Sequence, residues 1–128
     1  MSKAAKSVEE LEVFQKAVIA SAEVSAIIER PSWQRYLRLR EQVGSASERV
    51  LSAISEGFEQ STDRHFAQYL YRAKGSSREV RTQLIVARQR QLVSDVERAA
   101  VSDKYEEIAK MLTGLIRHLE AEDRKHRR

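Results

Sequence analysis

Apolar side chains recur along this chain at intervals of three and four residues, the spacing that lines up one side of an α-helix. Between Val8 and Glu29, one side is traced by Leu11, Phe14, Val18, Ser21, Ser25 and Ile28. A second apolar side, about 100° away by helical geometry, is traced by Val13, Ala17, Ala20, Val24 and Ile27. One stripe suffices for a helix in an isolated bundle, so the surplus points to deep burial or to contact with another subunit. Pro31 is the stop signal, and Ser32 is the expected N-cap of a second helix over 33–56. Its seam is Tyr36, Leu39, Val43, Ala46, Val50 and Ala53, and Gly57 stands where a left-handed C-cap belongs. The third helix, 62–91, starts from Ser61 or Thr62 with Asp63 at the positive helix end. Its inward side is Phe66, Tyr69, Leu70, Ala73, Ser77, Val80, Leu84 and Ala87. Ser94 and Glu97 form a capping box for the fourth helix, 95–122, which carries Tyr105, Ile108, Leu112, Leu115 and Leu119 inward. Short connections make consecutive helices antiparallel, which predicts an all-α, up-down-up-down four-helix bundle.

The 128 residues suit one domain: a disordered N-terminus over 1–7, the bundle over 8–123 and a basic tail over 124–128. The absence of cysteine excludes disulfides, thiolate-bound metal and thiol catalysis. The apolar runs are too short for a membrane span, and the first residues lack the core of a secretory signal, so the expectation is a cytoplasmic protein with no membrane partner. The net charge of +4 is unevenly laid out. Residues 61–92 hold seven basic and two acidic side chains, 93–123 hold four and eight, and the last five residues hold four basic ones.

Candidate chemistry is sparse. A di-iron bundle needs paired Glu-x-x-His motifs, and His65, His118 and His126 each lack a Glu three residues before them. No serine–histidine–acid arrangement, no Arg–His pair of the spacing used by bundle ribonucleases of the HEPN family and no glycine-rich phosphate loop is legible. The expectation is therefore a protein that is not an enzyme and needs no metal or cofactor. The third helix carries more information. At about 100° per residue, Lys74, Arg78, Arg81 and Arg88 share an arc of about 80°, with Arg64 on its flank. Such a stripe can follow phosphates, or it can pair with the acidic fourth helix. The tail cations Arg124, Lys125, Arg127 and Arg128 join the candidate polyanion site. Tyr71 and Ile85 lie in the same arc and, with Val13, Ala17 and Val24 of the first helix, make up the candidate oligomer interface.

Several stretches together resemble a known family. They are Val8 to Ala17; Glu56-Gly57-Phe58; Phe66 to Ser76, continuing through Glu79 and Thr82-Gln83-Leu84; and Glu107 to Ile116. In this order they resemble the four-helix bundle proteins encoded in intervening sequences of bacterial 23S ribosomal RNA genes. Departures fall in the second helix, where Gly44 and Ser45 replace a frequent basic pair, Leu51 a proline and Ala53 an asparagine, and at His65, which replaces a Glu. The resemblance implies a small antiparallel bundle that assembles as a homopentamer. A related branch, accessory proteins of diversity-generating retroelements, forms basic pentameric barrels that bind RNA and engage a reverse transcriptase. Gly75, Ser76, Glu79 and Gln83 match motif positions, where a structural role is expected, with the glycine allowing helices to approach. The resulting expectation is a non-enzymatic, oligomeric accessory protein that binds the backbone of RNA or DNA, with a reverse transcriptase as partner. The alternative is a protein-binding adaptor or scaffold without nucleic acid.

Overall fold

The computed structural model describes residues 5–127. Four α-helices are present among them: α1 (Glu12–Ile28), α2 (Leu37–Phe58), α3 (Asp63–Gln89) and α4 (Asp95–His126). Short 3-10 segments, Val8–Glu10 and Pro31–Tyr36, precede α1 and α2. Each helix packs against its neighbours in the sequence, and α1 closes the square against α4, which leaves α1 and α3 on a diagonal. Of the N-terminus expected to be disordered, residues 1–4 lie outside the described residues. Ala5 packs against the core, and the Ser7 amide donates to the Glu10 carboxylate at 3.0 Å.

Local signals set most boundaries. The Thr62 side chain accepts from the His65 amide at 3.2 Å to open α3, and the Ser94 hydroxyl accepts from the Glu97 amide at 3.1 Å to open α4. Three details differ from the sequence expectation. Helix two starts at Leu37, not after a Ser32 cap, because Pro31 opens a 3-10 run that folds Trp33 completely into the core. Gly57 is no left-handed cap: it lies within α2, and no glycine has positive φ. A Cβ there would lie 2.8 Å from the Tyr69 Cβ and 3.0 Å from the Phe66 Cδ1, so Gly57 lets α3 approach α2 closely. The left-handed residue is Gln91 (φ 61°), which ends α3 while the Leu92 amide donates back to the Ala87 carbonyl at 2.9 Å.

The core is continuous. Leu39, Val43, Ala46, Val50 and Ala53 of α2 meet Phe66, Leu70, Ala73, Val80 and Leu84 of α3 and Tyr105, Ile108, Leu112 and Leu119 of α4, all buried. Phe58 and Phe66 pack edge to face with ring centres 6.1 Å apart. On α1 the inward stripe is Val13, Ala17, Ala20, Val24 and Ile27. On the other stripe Ser21 is buried, Leu11, Phe14 and Ile28 are half-buried, and Val18 and Ser25 are exposed. A charged edge accompanies this orientation: Lys16 and Glu23 of α1 and Arg30 just beyond its end, each seven residues apart, pair with Glu107, Lys104 and Glu97 of α4. The three pairs fit the orientation in which the smaller stripe, with Ala17 and Ala20, faces the core.

Candidate nucleic-acid interface

The cationic arc of α3 faces α4, and what α4 places opposite changes along the groove. Toward the α3–α4 connection the cations are matched. The Arg81 Nε donates to the Ser102 hydroxyl and its Nη2 to Glu106, both at 3.1 Å. Arg88 grips Asp95 with two bonds of 2.7 and 3.2 Å. The Arg88 guanidinium holds the Asp95 carboxyl below the usual carboxylate range, and Arg30 does the same to Glu97 on the neighbouring side. For Arg81 and Arg88, pairing with the acidic fourth helix is what the structure shows.

Toward the start of α3 the matching fails. Arg64, Lys74 and Arg78 make no ion pair among the described residues. Arg64 borders a groove of about 490 Å³ together with Gln68, Tyr71, Glu120, Arg124 and Arg127. Lys74 borders a second, of about 380 Å³, with Glu106, Lys110, Thr113, Gly114 and Arg117. Both lie between the antiparallel α3 and α4. From Arg64 to Arg78 the rise is about 21 Å, at roughly 1.5 Å per residue.

The expected tail is in part a continuation of this surface. α4 runs to His126, so Arg124 and Lys125 extend a helix, and Arg127 follows at its C-cap. Lys125 pairs with Glu122 and Arg127 with Asp123, each at 3.3 Å, while Arg124 makes no ion pair among the described residues. Arg128 lies outside the described residues. Lys110 and Arg117, absent from the sequence-based site, belong to the groove. Their spacing with Arg124, seven and seven, places all three on one side of α4, a signal hidden by the segment's acidic total.

The candidate oligomer interface needs correction. Val13, Ala17 and Val24 are buried in the core of the single chain and offer no surface. Tyr71 and Ile85 are each half exposed. The Tyr71 hydroxyl donates to Glu120 at 3.1 Å, which places its ring in the first groove and raises its pKa. The outer side of α1 presents Val18, Ile19, Ala22, Ser25 and Ala26 instead, all exposed and none charged. Among the motif residues, Glu79 accepts from Arg49 of α2 at 2.6 and 2.7 Å. Gly75 is no helix contact, since a Cβ there would meet nothing within 4 Å.

No helix among the described residues is long and apolar enough to cross a membrane. No group of three or more His, Asp or Glu side chains among them could hold a metal ion. The model of the 23S rRNA-intervening sequence protein family matches residues 9–114. The chain belongs to that family. The match covers all of α1, α2 and α3 and most of α4, including Lys110, and stops before Arg117 and Arg124. A crystal structure of a protein of unknown function from the S23 ribosomal protein family, from Bacteroides thetaiotaomicron VPI-5482, has the same fold. Its TM-score is 0.74 at 15% identity, over 81% of this chain and 97% of that one. No curated protein sequence matches the chain.

Proposed function

We propose that this protein is a non-enzymatic nucleic-acid-binding module, an oligomeric accessory factor that holds the backbone of RNA in the α3–α4 groove. The observation that carries the reading is the run of cations without ion-pair partners among the described residues, Arg64 and Lys74 on one wall and Arg117 and Arg124 on the other, with Arg78 exposed further along α3. Guanidinium and ammonium groups spread along about four turns of α3 can exchange condensed counterions for contacts with phosphate. One groove is a weak site. Copies linked in a ring multiply it through effective concentration. The uncharged outer side of α1 supports association, and Ile85, at the matched end of α3, supplies a different surface of the kind a ring interface needs. The enzyme proposed to be served by such an accessory factor is a reverse transcriptase, on the resemblance to the related accessory proteins of diversity-generating retroelements.

Filter binding of RNA and DNA oligonucleotides to the full chain tests the reading. It expects retention at low salt and a loss of affinity that is linear in the logarithm of salt concentration. The double variant Arg64→Glu/Arg78→Glu weakens binding to every sequence alike. If the wild type retains neither RNA nor DNA at low salt, the adaptor reading replaces this one. Light scattering tests the assembly: a monomer at micromolar concentration overturns the ring, and Ile19→Arg is expected to dissociate it.

A further inference from the structure

We propose that the groove between the start of α3 and the end of α4 takes an unpaired nucleotide, with its base stacked on Tyr71 and its phosphate on Arg64 and Arg124. The proposal rests on the nucleic-acid reading and deepens it from phosphate contact to recognition of single strands. Four observations converge. Half of the Tyr71 side chain is open to solvent, although its ring sits inside the groove and not on a convex surface. Helical side chains lean toward the N-terminus and cover the preceding turn. That turn holds Ala67, buried and small, and Gln68, so the ring has a low floor beside it. The bond from the Tyr71 hydroxyl to Glu120 ties the ring to α4 across the groove.

The fourth observation separates a nucleotide from a bare polyanion. The groove mixes the guanidiniums of Arg64, Arg124 and Arg127 with the carboxylates of Glu120 and Asp123. Carboxylates repel a run of phosphates, but they accept hydrogen bonds from base amino groups and ribose hydroxyls. A ligand with a phosphate at one end and donors on a flat ring at the other satisfies both halves. The volume, about 490 Å³, lies within the roughly 300–1,000 Å³ range of small-ligand sites. A paired base inside a duplex keeps its faces covered by its neighbours and cannot reach the ring, so the site selects single strands.

The test compares two fluorescein-labelled probes of equal length and charge, a single-stranded RNA and an abasic ribose-phosphate strand, by anisotropy on the full chain. The wild type is expected to bind the base-bearing strand at least about ten-fold more tightly than the abasic one, the scale of one stacked base. Tyr71→Ala is expected to remove that preference and to leave binding of the abasic strand and its salt dependence in place. Tyr71→Phe is expected to keep most of it. Equal affinity of the wild type for both probes overturns the stacking site alone. So does a Tyr71→Ala variant, folded by circular dichroism, that keeps the preference or weakens both probes equally. Failure of the wild type to bind either probe at low salt overturns the underlying reading and this site with it.

Discussion

The two ends of the bundle are fastened by different forces. At the end holding the α1–α2 and α3–α4 connections, Arg30 meets Glu97 and Arg88 meets Asp95, so charge is matched across helices. At the opposite end α2 and α3 are held by close apolar packing, with Gly57 against Tyr69 and Phe66 and Phe58 edge-on to Phe66. Because packing holds that end, its cations are not needed as clasps. Arg64 and Arg124 stay open there, whereas Arg81, further along α3, is occupied by Glu106. The lesson is that a cationic stripe on one helix says little until the opposing helix is placed beside it.

The strongest way to break this comparison is to attack the packed end. Gly57→Ala puts a methyl group against the Tyr69 Cβ, and overpacking of this kind costs about 1–3 kcal/mol. Denaturant unfolding should show that loss, and an unchanged midpoint would mean that the crossing is loose. Next in size is the affinity contrast. Arg64→Glu/Arg78→Glu should lower RNA affinity at low salt by more than about ten-fold, with a shallower salt dependence. Arg81→Gln/Arg88→Gln should cost mainly thermal stability. Equal effects of the two doubles on affinity would erase the distinction between the ends.

Glu106→Gln sharpens the comparison from the other side. It removes the charge that holds Arg81 at 3.1 Å and Lys110 at 3.4 Å, so the open surface should lengthen and RNA affinity rise a few-fold. Acid provides a smaller and more selective effect. Asp95 and Glu97 have their native pKa values lowered by Arg88 and Arg30. Their contribution to stability is therefore complete above the ordinary carboxylate range and is lost as pH falls through the lowered native values, below about pH 4. A Tm series between pH 7 and pH 2 should fall more gently for Asp95→Asn than for the wild type. The smallest effect is a gain. Gln91→Gly relieves a left-handed residue and should raise stability by up to about 1 kcal/mol.

What the sequence makes legible is what neighbours along the chain decide. The caps at Thr62 and Ser94 and most of the seams of α2, α3 and α4 follow from residues within a turn or two of one another and stand where the pattern places them. Tyr69 and Leu115, however, are only half-buried, and Ile116 takes the core position in that turn of α4. α1 is harder because both of its stripes are apolar. Its orientation is set by contacts far along the chain, among them those of Lys16, Glu23 and Arg30 with partners some 67 to 91 residues away on α4. Gly57 misleads for a similar reason: a glycine after a periodic run reads as a terminator, but its role is set by Tyr69 and Phe66 on the next helix. The groove was half legible. The α3 wall follows from a helical wheel, whereas Lys110 and Arg117 vanish in a segment total that averages over all sides of α4.

Trp33 gives the molecule an internal signal lamp. It is the sole indole in the chain, and it is fully shielded from water in the joint between α1 and α2, at the end where charges are matched. Its emission should be that of an apolar surrounding and should shift to the red only when that joint opens. An oligonucleotide seated beside Arg64 and Arg124, a bundle length away, leaves the lamp unchanged. A titration in which the tryptophan spectrum moves would thus report that filling one end of the bundle loosens the other.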